Sequence, residues 1–471
     1  MHVKTDLLVI GAGSGGLSVA AGAVQMGADV TLLEGGRMGG DCLNYGCVPS
    51  KALIAAGKAA HARDAAARFG VTYAAPAVDY AATKDHVADV IAQIRPNDSQ
   101  ERFERLGVRV IRDYGRFVGR NSVQAGETLI TARRIVIATG SSPAVPPVPG
   151  LDTVPVETNE TIFELKEKPR HLIIIGGGPI GIEMAQAHRR LGCDVTLIEG
   201  ARALAPEDPE ASTVVLDALR AEGVTIIEGT AAREVRRDGN AIEVTGEDGQ
   251  VHSGSHLLVA TGRRPNIDRL DLPAAGIDTT ERGIQVDGSL KTTNKRVYAI
   301  GDVAGGLQFT HVAGYHAGLI IRSALLGLPA KHHTCHIPHV TFTEPELAQV
   351  GQTDSQAHKA HGDKVEVVRF PYNHNDRALA ERKADGFIKV MVVKGRPVGV
   401  TIVGHQAGEH INLWALVLAN RMKMKQVAGM VSPYPTVGEI SKRAAGAFFA
   451  PKLFESAAVK RVVGLIQRWL P

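Results

Sequence analysis

GADVTLLEG at residues 27–35 recurs as GCDVTLIEG at residues 192–200, an offset of 165 residues. Each copy stands at the same distance from a glycine cluster. LLVIGAGSGG (residues 7–16) puts Gly11, Gly13 and Gly16 ahead of Glu34, and LIIIGGGPIG (residues 172–181) puts Gly176, Gly178 and Gly181 ahead of Glu199; first glycine and glutamate are 23 residues apart in both. Each cluster leaves a β-branched strand and opens an Ala/Met-rich helix. A single GxGxxG is a weak signal, because glycine turns are common, but two in this setting are strong. The glycines permit a tight turn and the approach of a pyrophosphate to a helix N-terminus, and the strand-end carboxylate accepts ribose hydroxyls. Against the alternative of two ordinary βα turns, the pattern predicts two dinucleotide-binding halves.

A second matched pair lies downstream. IVIATGSSP (residues 135–143) and LLVATGRRP (residues 257–265) bring the chain out of each half and mark Thr139, Gly140 and Gly262 as candidate cofactor contacts. Pro146, Pro147 and Pro149 read as a linker. VYAIGDVAGG (residues 297–306) is a buried-strand pattern running into Gly301 and Asp302. From about Ile337 the pattern changes to alternating strands, KVEVVRF (residues 364–370) and GFIKVMVV (residues 386–393), with helical spacing from Asn412. That is a separate α+β domain. The expected fold is α/β: two Rossmann-like dinucleotide-binding domains followed by the α+β domain.

Composition narrows the class. With 471 residues, 44% apolar and 22% charged, the chain can bury several cores. A net charge of +4 without a long basic run disfavours nucleic acid as a partner. Four cysteines are too few for a disulfide-scaffolded secreted protein. Residues 7–10 run straight into a glycine loop, unlike the core of a signal peptide. No stretch reaches the roughly 18 uninterrupted apolar residues that a bilayer span requires. The expected location is cytoplasmic.

GGDCLNYGCVPSK (residues 39–51) holds Cys42 and Cys47, five apart. Taken alone they are a structural staple, metal ligands or a working redox pair, although CxxxxC lacks the usual zinc spacing and no second cysteine pair exists. This loop, the two glycine fingerprints, AIGDVAG (residues 299–305) and PHVTFTEPELAQVG (residues 338–351), in this order, resemble the class I pyridine nucleotide-disulfide oxidoreductases. Glutathione reductase, lipoamide dehydrogenase and mercuric reductase belong to that group. The resemblance runs to about residue 450.

It implies FAD on the first fingerprint, a nicotinamide cofactor on the second, a homodimer formed through the last domain, and a redox-active Cys42–Cys47 disulfide with Cys47 against the flavin and Cys42 facing the acceptor. Residues five apart on a regular helix point to different faces, so the backbone must be distorted to bring the sulfurs together; Gly46 and Pro49 permit this. A strained bridge is easily reduced, and a helix N-terminus with Lys51 would stabilise the resulting thiolate. Lys51 and Glu183 resemble the family's pair beside the flavin; read alone, each is a solvated helix charge. Asp302 resembles the aspartate that binds the flavin ribityl chain, and as an N-cap it could serve both purposes. Glu199 repels a 2′-phosphate and favours NADH, with NADPH the lesser alternative because Arg202 is nearby. The expected domains are 1–150 (FAD-binding), 151–275 (NAD(H)-binding), 276–334 (central, completing the FAD site), 335–455 (dimerisation) and an amphipathic tail, 456–471.

The chain also departs from the family. SPYPTVGEISKR (residues 432–443) stands where glutathione reductase and lipoamide dehydrogenase carry His-Pro-Thr-x-x-Glu reaching the partner's cysteines; here the positions hold Tyr434, Pro435, Thr436 and Glu439. With an ordinary pKa of about 10, tyrosine donates a proton at neutral pH but is a poor base toward a thiol. This weakens a lipoamide dehydrogenase reading. Mercuric reductases carry tyrosine here but end in a vicinal cysteine pair, and no cysteine follows Cys335 in this sequence. KHHTCHIPH (residues 331–339) offers His332, His333, Cys335, His336 and His339 as ligands, yet leads directly into a strand, and no metal site is assigned.

The expected activity is transfer of electrons from NADH through flavin and the cysteine pair to a small-molecule or protein disulfide, or another thiol-reactive acceptor. A mercuric-type metal-ion reductase, dihydrolipoamide dehydrogenase and a non-catalytic flavin redox sensor are the alternatives. In the tail, Val459, Val462, Val463, Ile466 and Trp469 oppose Lys460, Arg461 and Arg468 at helical spacing. Packing on its own dimer is the expected role, with a membrane surface or protein partner as the alternatives.

Overall fold

Residues 7–10 are buried on both faces of strand β1 (His2–Ile10), as a continuous apolar run demands of a central strand in a parallel sheet. β1 lies between β2 (Val30–Leu33) and the strand Thr128–Ile137, parallel to both. The computed structural model describes residues 1–470, the side chain at position 65 apart. Two units emerge: Met1–Arg63 with Tyr73–Gly200 and Gly229–His332, and Asp64–Thr72 with Ala201–Glu228 and the residues from His333 on.

In the first unit the chain leaves β1 through the glycine turn into α1 (Ser14–Gln25), whose Leu17, Val19, Ala20 and Ala23 pack on the sheet. The far half of Thr128–Ile137 is bordered by Val297–Ala299, also in parallel, so the VYAIGD segment returns to the first sheet. The second repeat builds the same unit: His171–Ile175 is flanked in parallel by Asp194–Glu199 and His256–Val259. The two ATG segments meet, because Ser141–Pro143 and Arg263–Pro265 pair in antiparallel register.

In the second unit five antiparallel strands run in the order Pro338–Thr341, Glu346–Gly351, Arg396–Gly404, Phe387–Val393, Val365–Pro371. Lys394 and Gly395, both with positive φ, close the central hairpin, as a two-residue primed turn requires to match strand twist. One face buries Ile388 and Val400, with Tyr372, against Trp414 of the helix Ala407–Ala419 and against the helix Glu439–Phe454. Trp414 Nε1 donates to Ser441 Oγ at 3.1 Å, so the largest core side chain has no unpaired polar atom.

Residues Ala201–Glu228 group with these C-terminal strands, although the sequence assigns them to the second dinucleotide-binding stretch. Asp208 caps the helix Pro209–Ala221 through the amides of Glu210 and Ala211, and its carboxylate also receives the buried Lys389 Nζ at 3.0 Å. Arg369 Nε reaches Glu210 at 2.6 Å. A buried ammonium requires such carboxylates, and they draw the helix to the sheet.

Candidate active site

The two glycine turns are near copies. Gly11 and Gly176 have φ of +105° and +114°, a region in which a side chain is strained. A Cβ on Gly16 would lie 1.9 Å from Gly11 O, and one on Gly181 2.0 Å from Gly176 O. These contacts force glycine where helix and strand meet. The middle glycines differ: Gly178 has nothing within 4 Å of its Cβ position, and Gly13 has only Gly40 Cα at 3.9 Å. Neither helix carries a side-chain N-cap, so each presents backbone N–H groups beside open space, which fits a pyrophosphate. Glu34 accepts from Ala12 N and Gly36 N, each at 2.6 Å, and Glu199 Oε2 accepts from Gly177 N at 2.7 Å. Both carboxylates therefore sit at the mouths of the turns.

The cysteine loop is built on the first turn. Gly39 N donates to Ala12 O at 2.9 Å, and Gly40, at φ +60°, lies so close that its Cβ would meet Gly13 Cα at 2.6 Å. Cys42 is on the short helix α2 (Gly40–Asn44), which ends at Tyr45 with φ −140°. A new helix, α3 (Cys47–Ala66), begins at Cys47. The break that the spacing demands thus falls at Tyr45 and Gly46, with Pro49 in the first turn of α3, where it is tolerated. Asp41 sits over this break: a Cβ on Gly46 would be 2.7 Å from its Oδ2.

Cys42 is half-buried and Cys47 exposed, and both are thiols. The hydrogen bond that they share pulls Cys47 down to about 6; burial opposes this, Thr310 and Lys51 assist, and the charge of Asp41 works against it. The same bond, with burial, pushes Cys42 up. One proton therefore serves two sulfurs and rests on Cys42. Thr310, which begins the helix Thr310–Ile320, holds Cys47 Sγ at 3.2 Å.

Lys51 and Glu183 meet, Nζ to Oε2 at 2.8 Å, with the Glu183 carboxylate 7% exposed. A Cβ on Gly57 would stand 3.3 Å from Ala187 O, so α3 and the helix Pro179–Arg190 approach closely enough to join them. Asp302 accepts from Ser141 Oγ at 2.5 Å, and burial raises its carboxyl. Gly301 beside it has φ +68°, and its N–H donates to the buried His316 Nδ1 at 3.2 Å. Thr139 Oγ1 donates to Asn266 O at 2.7 Å, and Gly140 and Gly262 both have positive φ with open space at the Cβ position.

Arg263 was not singled out by its sequence context. It is 12% exposed; its Nη2 lies 3.1 Å from Asp41 Oδ1 and its Nε 3.8 Å from Asp302 Oδ2, and it donates to both Ser141 Oγ and Ser141 O. The ATGR motif contained the clue, since the arginine follows the glycine that the repeat had already marked.

In the second unit Tyr434 is 68% exposed, and its hydroxyl donates to Asp376 Oδ2 at 2.9 Å. That bond keeps the phenol protonated above its ordinary range. Glu439 is paired instead with Arg443, Nε to Oε1 at 3.2 Å. The histidine-rich stretch is divided among other contacts: His332 Nδ1 lies 3.3 Å from Gly288 O, and His339 Nε2 lies 3.0 Å from Glu207 Oε1. Among the described residues no three His, Cys, Asp or Glu side chains form a metal site.

Two dinucleotide cradles, one of them carrying a cysteine pair that shares a proton, define a two-cofactor flavoprotein oxidoreductase. Residues 5–317 match the pyridine nucleotide-disulphide oxidoreductase family and residues 337–445 its dimerisation domain, and the chain belongs to this family. Its cofactors are FAD and NAD(P)H, and the matched dimerisation domain supports a homodimer. It is 36% identical to mercuric reductase of Streptomyces lividans over 95% of this chain and 97% of that one. It is likewise 36% identical to dihydrolipoyl dehydrogenase of Bacillus subtilis (strain 168), over 94% and 96%. The HOCl-induced flavoprotein disulfide reductase RclA from Escherichia coli superposes with a TM-score of 0.84 at 28% identity, covering 94% of this chain and 99% of that one. No helix among the described residues is long and apolar enough to cross a membrane.

Proposed function

We propose that the enzyme works as a reductase, carrying electrons from NADH to a disulfide or other thiol-reactive acceptor through Cys42 and Cys47. The observation that carries this reading is the break between α2 and α3, which sets Cys42 on one helix and Cys47 at the start of the next with Thr310 Oγ1 3.2 Å from Cys47 Sγ. Bound FAD would supply the redox chemistry that relays an electron pair from the nicotinamide's hydride to the disulfide. Gly11, Gly13, Gly16 and Glu34, with Thr139, Gly140, Gly301 and Asp302, hold FAD. Gly176, Gly178, Gly181, Glu199 and Gly262 would hold the nicotinamide cofactor, and Lys51 with Glu183 is the pair we assign beside the flavin.

Cys42 attacks the acceptor sulfur as its proton passes along the shared hydrogen bond to Cys47, forming a mixed disulfide. Tyr434 of the partner subunit protonates the thiolate that leaves, and Glu439 orients that segment through Arg443. Cys47 gives its proton to the second departing sulfur as it attacks Cys42 Sγ, so the intrachain disulfide closes, the second thiol is released, and the tyrosine regains its proton from solvent. The five-part division drawn from the sequence is the functional organisation we assign, with a cytoplasmic location.

Mercuric reductase and dihydrolipoyl dehydrogenase are similar to the chain to the same degree, so similarity does not choose between their activities. Tyr434 supplies the argument. Its hydrogen bond to Asp376 raises its pKa, so the phenol stays protonated at neutral pH and cannot abstract a proton from a dithiol. The test is a screen of disulfides, quinones and metal ions with NADH, alongside dihydrolipoamide with NAD. Turnover of an oxidised acceptor that is lost in Cys47→Ser supports the reading, and dihydrolipoamide as the best substrate overturns it.

A further inference from the structure

The sequence after Ser456 contains no acidic residue and folds as a helix, Ala457–Trp469, whose N-cap is the Ser456 hydroxyl accepting from Val459 N. At 3.6 residues per turn, Val459, Val462, Val463, Ile466 and Trp469 share one side, and Lys460, Arg461 and Arg468 fall on the other. The apolar side is largely open: Val462 is 53% exposed, Ile466 42% and Trp469 83%. The preceding helix ends in Phe454, itself 73% exposed.

We propose that this helix is an interfacial anchor that docks the enzyme on an anionic membrane surface. Three observations choose that occupant. Charge is the first: every charged residue of the helix is cationic, so a second copy of the helix would bring three more positive charges against it, whereas anionic headgroups neutralise them. Length is the second: thirteen residues reach about 20 Å, less than the ~30 Å hydrocarbon core, so the helix lies in the plane of the surface and does not span it. Position is the third: the dimerisation-domain match ends at residue 445, before the helix begins. Trp469 at its end is the side chain suited to the headgroup boundary.

The helix confines the chemistry to a surface and draws on no residue of the cysteine or cofactor sites. Of the two tryptophans, Trp414 is fully buried, so a change in emission on binding reports Trp469. Full-length holoenzyme is mixed with vesicles of phosphatidylcholine alone or containing phosphatidylglycerol, and followed by flotation and tryptophan emission. The expected result is co-flotation and a blue shift with the anionic vesicles, on the order of 10²-fold stronger than with neutral ones from three cations worth roughly fivefold each. Ile466→Glu, the pair Lys460→Glu and Arg461→Glu, and deletion of residues 457–471 should each release the protein while NADH-dependent turnover stays unchanged. The proposal is overturned if full-length enzyme stays off anionic vesicles, or binds both kinds equally. It is also overturned if deletion dissociates the dimer in light scattering while the intact protein ignores vesicles, or if only an acidic amphipathic peptide binds the helix.

Discussion

Arg263 Nη2 stands 3.1 Å from Asp41 Oδ1, and the other oxygen of that carboxylate lies over Gly46, the residue that joins the two cysteine helices. The same guanidinium donates to Ser141 and approaches Asp302. One half-buried cation therefore ties the cysteine break to the residues expected to hold the flavin. It also offsets the Asp41 charge, which otherwise raises the Cys47 pKa.

Arg263→Gln should leave Asp41 uncompensated and make Cys47 alkylation at about pH 5, below the thiol's pKa, roughly tenfold slower in the reduced enzyme, the size of one unit of thiol shift. Adding Asp41→Asn should return the rate toward wild type, because the charge that was unmasked is gone. A pH profile of iodoacetamide reaction for the three proteins measures this. An unchanged profile in Arg263→Gln would reduce the arginine to packing alone.

Reduced wild-type enzyme should show a long-wavelength thiolate-to-flavin charge-transfer band above about pH 6 that fades as the pH falls through that value. The sign follows from the lowered Cys47 pKa: below it the pair is a dithiol, and above it one proton has left. Cys47→Ser should lack the band and Cys42→Ser should keep it. Lys51→Met should move the edge upward, since the ammonium favours the thiolate.

Glu183→Gln keeps a hydrogen-bond acceptor for Lys51 but removes a buried charge, whereas Lys51→Met strands that charge at 7% exposure. With Lys51 partly in water, the methionine variant should lose about 1–3 kcal/mol in urea unfolding and the glutamine variant less. Equal losses would show that the pair makes no net contribution as an ion pair.

Wild type should use NADH with the higher kcat/KM, because the Glu199 carboxylate at the mouth of the second turn repels a 2′-phosphate. Glu199→Ser should narrow the ratio by raising NADPH use. Steady-state kinetics with both nucleotides measures it, and wild type using NADPH equally well would refute the argument.

Tyr434→Phe should slow reduction of the acceptor while leaving flavin reduction by NADH unchanged in stopped flow. Wild type should oxidise dihydrolipoamide poorly, by a factor on the order of 10² to 10⁴, and Tyr434→His should recover part of that. The raised phenol pKa predicts no loss of acceptor reduction on the alkaline side up to about pH 10. Asp376→Asn, which weakens the hydrogen bond, should lower that pKa and bring the edge down.

The glycine fingerprints, Glu34, Glu199, and the break between Cys42 and Cys47 were legible in the residues because each is a local requirement. A Cβ on Gly181 would fall 2.0 Å from Gly176 O, so that turn admits only glycine, and two sulfurs five residues apart cannot meet on an unbroken helix. Family resemblance contributed the Lys51–Glu183 pair, which the bare sequence reads as two surface charges. Their separation of 2.8 Å comes from the close crossing at Gly57 and Ala187. Nothing periodic in either helix encodes that crossing.

Sequence by itself determined the repeat, the strand and turn order, and the chemistry available at each turn, since these rest on backbone sterics and residue type over a few neighbours. Only the tertiary structure decided which distant groups share a charge: Arg263 with Asp41 and Asp302, Asp376 with Tyr434, and Lys389 with Asp208. A buried cation must find a carboxylate, but many carboxylates along the chain would satisfy it equally well in sequence terms. Which one it meets depends on how strands far apart in sequence lie side by side, as Ser141–Pro143 and Arg263–Pro265 do, and that is fixed by packing of the whole unit.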